Sequence, residues 1–244
     1  MVWLLGDLYM LLEEIIKDIK RKKELRNIDD EFVKEMVVRL LDKYKINLED
    51  EKLKKNKKLK IVFKEVRKQL REIYGAFRQV EDKRDKIVYE KIFEFIQDCK
   101  SVLDIGCGEL AKDYLNYKKK FYLCDIDVKL IDELNKHLKT NKINGEAFVF
   151  NGASGDFNKL PKADCVFLLR SLEGFEAVNR NVSYELLKSL KCKKIVVSFS
   201  KVTLSNNKLI RKMGRIWFVR FLQRLGYEYK IENIGKEIVF FINK

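Results

Sequence analysis

The sequence is poor in residues that punctuate a chain or catalyse on their own: one histidine, one proline and eleven glycines in 244 positions. With His137 alone, a histidine-based metal cluster is excluded, and a Ser-His-Asp triad would have to be built on that one residue. His137 lies beside Leu138 in a helix-like segment and reads as a surface residue. Pro161 is the only proline, so no Pro-rich linker divides the chain. The five cysteines (Cys99, Cys107, Cys124, Cys165 and Cys192) are odd in number and include no CxxC pair, which argues against a zinc site and against a disulfide framework. Several sit in apolar strand-like runs and read as small buried hydrophobes of a protein in a reducing cytoplasm. A long uncharged apolar run is also missing. The most apolar stretch, MVWLLGDLYMLLEEIIKDIK, carries Asp7, Glu13 and Glu14 and lacks the basic start and cleavage site of a signal peptide, so it is expected to be part of the fold. No G-x-x-x-x-G-K-[ST] sequence occurs, which argues strongly against a P-loop nucleotidase.

What is abundant is positive charge. Lys and Arg number 52 against 37 Asp and Glu, a formal net charge of +15. Such an excess points to a polyanionic partner, nucleic acid first and an anionic membrane surface second. The 46% hydrophobic content is that of a globular chain with one sizeable core, or an α/β domain with a smaller piece attached.

Two halves differ in texture. Residues 1–77 have almost no turn signals and show helical periodicity, with Leu4, Leu5, Leu8, Leu11, Leu12, Ile15, Ile16 and Ile19 on one face. Phe32, Val33, Met36, Val37, Leu40 and Leu41 repeat the pattern after an N-cap signal in NIDD. The basic run EKLKKNKKLK then joins a further helix, LKIVFKEVRKQLREIYGAF. In residues 78–244 strands and helices alternate. SVLDI, KFYLCDI, EAFVF, ADCVFLL, KKIVVSF, YEYKIEN and EIVFFIN read as strands. Helices are expected from Glu109, in DVKLIDELNKHLKTN, and across Gly174–Leu190 and Asn207–Leu225. Apolar strands alternating with helices mean a mainly parallel sheet. The short IGKE turn forces the last two strands to pair antiparallel, an ending that nicotinamide-binding Rossmann domains do not normally have.

Three segments carry chemistry. In SVLDIGCGELAKDYL, Gly106 and Gly108 form G-x-G with Ala111 at the third position. Glycines let a ligand approach the backbone, and a following helix offers its positive end. Asp104 before the turn and Glu109 after it would repel a pyrophosphate but suit a ligand carrying an ammonium and a sulfonium. YLCDID places Asp125 about twenty residues further on, where a strand-end acid grips both ribose hydroxyls, with Ile126 beside it. Asp127 is the better candidate for helix N-cap. In GASGDFNKLPKAD, Asp156 would accept from an adenine amino group while Phe157 packs on the ring; an ordinary turn is the alternative. Together, the three segments describe an S-adenosylmethionine pocket along the carboxyl ends of strands one, two and three, and Leu169 is a further cofactor-binding candidate.

FYLCDIDVKLIDELNKHL, ADCVFLLRSLEGFE, KKIVVSF and IGKEIVFFINK resemble the methyltransferases that modify guanine N7 in the decoding region of small-subunit ribosomal RNA and confer aminoglycoside resistance. The similarity runs from about Arg71 to the C-terminus and includes REIYGAF. It implies a class I S-adenosylmethionine-dependent methyltransferase, a Rossmann-like, mainly parallel seven-stranded α/β sheet, preceded by a helical RNA-binding domain over residues 1–77. It implies structured RNA as partner, ribosomal or transfer, and a cytoplasmic monomer without metal or membrane. The family's arginine for the cofactor carboxylate corresponds loosely to DKRDKI, leaving Arg84 and Lys86 as candidates. Arg170, after the fourth strand, is the candidate catalytic residue that holds the target base or phosphate. Phe175, Phe199 and Trp217 are candidate stacking partners, each also a candidate for the core. Lys54, Lys55, Lys57, Lys58 and Lys60 would meet RNA phosphates. The chain departs from the family at ELAKD and in FSKVTLSNNKLIRKMGRIW, which puts the RNA target in question more than the reaction. A methyltransferase for protein or small molecules and a catalytically silent RNA-binding protein stay open as alternatives.

Overall fold

The computed structural model describes residues 2–46, 57–78, 84–153, 156–201 and 215–244, the side chains of residues 2–9 and 72–78 excepted. Lys54 and Lys55 fall outside the described residues. Two compact units emerge, Met1–Arg78 and Gln79–Lys244.

The first unit packs three helices, α1 (Val2–Ile19), α2 (Asp30–Lys43) and α3 (Lys57–Arg78). Asp29 caps α2 by accepting from the Phe32 amide at 3.1 Å, which satisfies an otherwise orphaned donor of the first turn. The apolar face of α2 from Phe32 to Leu41 is buried, as are Leu59, Val62, Val66 and Leu70 of α3. Lys57, Lys58, Lys60, Lys64 and Lys68 stand on the exposed side of α3. Arg67 turns inward, its Nη2 donating to the Asp18 carbonyl at 2.6 Å, where it serves the C-terminal end of α1.

The second unit begins with α4 (Lys86–Phe95) and continues with β1 (Ser101–Ile105), β2 (Lys120–Asp125), α5 (Val128–Thr140), β3 (Gly145–Val149) and β4 (Cys165–Leu169). Helices α6 (Leu172–Val178) and α7 (Val182–Ser189) lead to β5 (Lys194–Ser200), α8 (Ile216–Leu225), β6 (Glu228–Ile234) and β7 (Glu237–Asn243). The seven strands are ordered β3-β2-β1-β4-β5-β7-β6. All pairs are parallel except those of β7, which runs antiparallel to both β5 and β6. Alternate residues of each strand enter two cores. Val102, Phe121, Leu123 and Phe167 meet α4 and α5 on one face, and Leu103, Ile105, Val166 and Phe240 meet α6, α7 and α8 on the other. The order reverses between β1 and β4, and ligands of such sheets bind at the carboxyl ends of the strands beside that switch.

Several lysines are used inside this unit. Lys119 Nζ donates to the Ile96 and Gln97 carbonyls at 3.1 and 3.2 Å. Lys194 Nζ meets the Phe95 carbonyl at 2.8 Å, and Lys244 Nζ meets those of Leu187 and Lys188 at 3.0 and 3.1 Å. These ammonium groups satisfy the carbonyls that α4 and α7 leave without intrahelical partners.

Two expected helices differ. The segment from Glu109 is a single 3-10 turn, Glu109–Asp113, so no α-helix dipole faces the glycine turn there. The single helix expected across Gly174–Leu190 is broken between α6 and α7, with Asn181 left-handed at φ 68°. Glu176 causes the break locally: its carboxylate accepts from the Asn181 and Ser183 amides, both at 2.8 Å. The first part of the helix expected over Asn207–Leu225 lies outside the described residues, and its second part is α8. Among the described residues, no helix is long and apolar enough to cross a membrane.

Candidate active site

The turn after β1 is tied to the end of β2. The Gly106 and Cys107 amides donate to the Cys124 carbonyl at 2.8 and 3.1 Å. Asp125, the last residue of β2, accepts from the Gly108 amide at 3.1 Å with one carboxylate oxygen and from the Asp127 amide at 3.1 Å with the other. Both glycines are left-handed, at φ 74° and 60°, where a side chain is strained. They differ in surroundings. A Cβ on Gly106 would lie 2.8 Å from the Ser171 Cβ, whereas one on Gly108 would meet no atom of the described residues within 4 Å. Gly106 is therefore held by packing, and Gly108 leaves open space beside the backbone.

Asp104 lies beneath this turn, 1% exposed. One oxygen accepts from the Tyr114 hydroxyl, and Oδ1 is buried with no hydrogen-bond partner among the described residues. Burial pushes its pKa up to about 7, against the pull of Tyr114 and Arg84. An unpartnered buried carboxylate oxygen beside a second carboxylate, Asp125, suits a cationic group and disfavours a phosphate. Because the folded state keeps a proton that the unfolded chain gives up near 3.8, the contribution of Asp104 to stability is greatest at low pH and falls as pH rises toward 7. Thermal melts of wild type and Asp104→Asn are expected to diverge between pH 4 and 7, the wild type losing up to roughly 4 kcal/mol more than the variant. Parallel melting curves would remove the shift from Asp104.

The other expected cofactor residues are spread along the same edge. Ile126 is half-buried, Leu169 is buried at the end of β4, and Asp127 caps α5 by accepting from the Leu130 amide at 3.0 Å. Asp156 is exposed and paired with Lys159 at 3.0 Å, and Phe157 is buried in the core beneath it. The remaining aromatic expectations are corrected in part. Phe199 is wholly buried, edge-to-face with Trp217, Phe218 and Phe240, so it offers no face to a base. Phe175 is buried against the glycines, in contact with the space a Cβ would fill on Gly106 and on Gly152. Trp217 is only partly buried.

Arg84 and Arg170 converge on a residue that sequence reasoning missed. Glu237 opens β7, is 1% exposed, and accepts from Arg84 Nε at 2.7 Å. Arg170 Nη2 pairs with the same oxygen at 2.7 Å. Burial works against the charge on both Arg84 and Glu237, but their attraction outweighs it, raising the arginine pKa and lowering that of the glutamate. Arg84 also donates to the Tyr89 hydroxyl at 3.2 Å, and Tyr89 in turn donates to the Leu110 carbonyl at 3.3 Å. Lys86 is exposed in the first turn of α4. The one signal for Glu237 in the sequence is a single acid heading an otherwise apolar strand in a chain with surplus cations.

A seven-stranded sheet with only its penultimate-position strand β7 reversed, a glycine turn after β1 and an acid closing β2 define the class I S-adenosylmethionine-dependent methyltransferase fold. Solved structures agree. The 16S rRNA methyltransferase RmtF, in complex with S-adenosyl-L-homocysteine, matches with a TM-score of 0.69 at 18% identity, over 96% of this chain and 98% of its own. The 16S rRNA methylase RmtB matches with a TM-score of 0.72 at 18% identity, over 96% and 98%. An rRNA methylase from Escherichia coli matches with a TM-score of 0.65 at 16% identity, over 96% and 99%. No protein-family model matches the chain, and no curated protein matches it in sequence.

Proposed function

We propose that this protein is an S-adenosylmethionine-dependent RNA methyltransferase acting on guanine N7 of structured RNA, with small-subunit ribosomal RNA as the favoured substrate. The observation that carries the reading is the pair of carboxylates, Asp104 and Asp125, on either side of a left-handed glycine turn. Asp104 Oδ1 would take the ammonium, Asp125 the ribose hydroxyls, and the open space at Gly108 would admit the ligand to the backbone. Arg84 rather than Lys86 suits the ligand carboxylate, because it is held beside Tyr89 and close enough to Asp104 to lower its pKa.

When bound, S-adenosylmethionine supplies a methyl group on a sulfonium. Guanine N7 bears an in-plane lone pair and no proton, so this site has no need of a general base, in keeping with a chain whose one histidine sits in the last turn of α5. The protein's share is positioning, which alone can supply several kcal/mol. Side chains do not reach N7 inside an A-form helix, so the target base comes from a loop or is flipped out. Arg170, at the end of β4, holds the base or its phosphate beside the reacting atoms.

The test is methyl incorporation from labelled S-adenosylmethionine into total RNA, with ribonuclease abolishing the signal and mass spectrometry locating the nucleotide in ribosomal or transfer RNA. Incorporation that survives ribonuclease overturns the RNA reading, and calorimetry without cofactor binding would favour a silent RNA-binding protein. The exposed face of α3 carries the second part of the proposal. Reversing Lys57, Lys58 and Lys60 to Glu is expected to weaken RNA binding at least about tenfold and to lower its salt dependence. Cofactor affinity should not change, and an equal loss of both would show the segment to be structural.

A further inference from the structure

We infer that Glu237 is the positioning residue for Arg170, fixing its guanidinium for the RNA acceptor from the adjoining reversed hairpin. The inference rests on the proposed function, in which Arg170 faces the target nucleotide. Three remote parts of the chain meet at one carboxylate oxygen: Arg84 ahead of α4, Arg170 after β4 and Glu237 at the start of β7. The backbone is arranged for this meeting. Arg170 is left-handed at φ 62°, a conformation a non-glycine residue adopts at a cost, while its amide still donates to the Ser198 carbonyl at 2.9 Å. Glu237 faces Ser200 across the β5–β7 ladder, so the reversed hairpin delivers the carboxylate to the end of the sheet where Arg170 emerges.

Stability alone is a weak reason for such a cluster, since buried ion triads are often no better than apolar packing of equal volume. What two charge-assisted bonds to one oxygen provide is geometry. An arginine on a flexible stem is held at one nitrogen, and its planar fork then has a defined direction. Arg84, almost wholly buried, keeps the carboxylate charged and in place from behind, while Arg170 remains 17% exposed. Its Nε–H is buried and has no acceptor among the described residues.

The experiment uses the full chain with an RNA substrate and labelled S-adenosylmethionine, and follows kcat, RNA KM and S-adenosylhomocysteine affinity. Glu237→Gln is expected to lower kcat about tenfold or more, with RNA KM changed by less than about threefold, as misaligned but still bound reactants require. With S-adenosylmethionine saturating, so that any effect through Arg84 on cofactor binding is removed, adding Glu237→Gln to Arg170→Gln should cost nothing further in kcat, because the glutamate acts on transfer through Arg170. Glu237→Asp retains the charge facing Arg84 and should recover part of kcat; where Glu237→Gln does not fold, a several-fold kcat loss in Glu237→Asp supports the inference in its place. Wild-type kcat in either variant, whatever the melting temperature, overturns the inference, as does an additive loss in the double variant. A wild-type protein that transfers no methyl to RNA overturns the function itself, which separates the two failures.

Discussion

Asp125→Ala is expected to weaken S-adenosylhomocysteine binding by at least about 100-fold, read by calorimetry. Two contributions add. A carboxylate gripping two hydroxyls loses charge-assisted hydrogen bonds worth about 1.5–3 kcal/mol each. The Gly108 and Asp127 amides also lose their acceptors, so the glycine turn keeps only its Gly106 and Cys107 bonds to β2. Asp125→Asn separates the two, because one carbonyl oxygen can still serve one of these amides but the –NH2 faces the other. An intermediate loss is expected for it, smaller than for alanine and without a large fall in melting temperature. Unchanged affinity in the alanine variant would remove Asp125 from the site.

The two glycines are expected to respond differently to the same substitution. Gly106→Ala carries both a left-handed backbone and a Cβ 2.8 Å from the Ser171 Cβ, so the turn or α6 must shift. A loss of about 2–4 kcal/mol in stability is expected, together with loss of cofactor binding. Gly108→Ala meets no described neighbour within 4 Å, so only the strain of its φ 60°, ψ −173° backbone, about 1–3 kcal/mol, remains. Its methyl group instead enters the open space, and cofactor affinity should fall while the protein loses less stability than in Gly106→Ala. Denaturant melts and calorimetry on the two variants check this. Equal destabilisation would mean that Ser171 yields, and retained binding in Gly108→Ala would place the ligand elsewhere.

The sheet was legible because each strand is a short apolar run that ends at an acid or a turn. LDI, YLCD and VFLL needed no partner information to be read, and the IGKE turn disclosed the reversed hairpin. The misread helix from Glu109 has a physical source. Ala111, Tyr114 and Leu115 stand at the three-four spacing of a helix face, but a 3-10 turn followed by tight bends brings the same residues into the core. The break at Asn181 turns on Glu176 folding forward onto two amides, a tertiary choice that periodicity does not encode. In the site, the glycines and strand-end acids could be placed from spacing, because spacing along the chain fixes which strand ends they occupy. The arginines could be named but not their partner. Glu237 lies more than a hundred and fifty positions from Arg84, and only the strand order brings the two together. The aromatics near the site were ambiguous for the reason the structure makes plain: Phe175 and Phe199 fill space against glycines and other rings.

The lysines that close helix ends bear on how an RNA complex can be mapped. Amine-reactive labelling depends on a side-chain nitrogen that is accessible and free to move. Lys119, Lys194 and Lys244 are each pinned to main-chain carbonyls. Slow reaction at these three positions is therefore built into the fold and is no footprint of a bound nucleic acid. A footprint would be read from the lysines that line the outer face of α3, whose reactivity in the free protein sets the baseline.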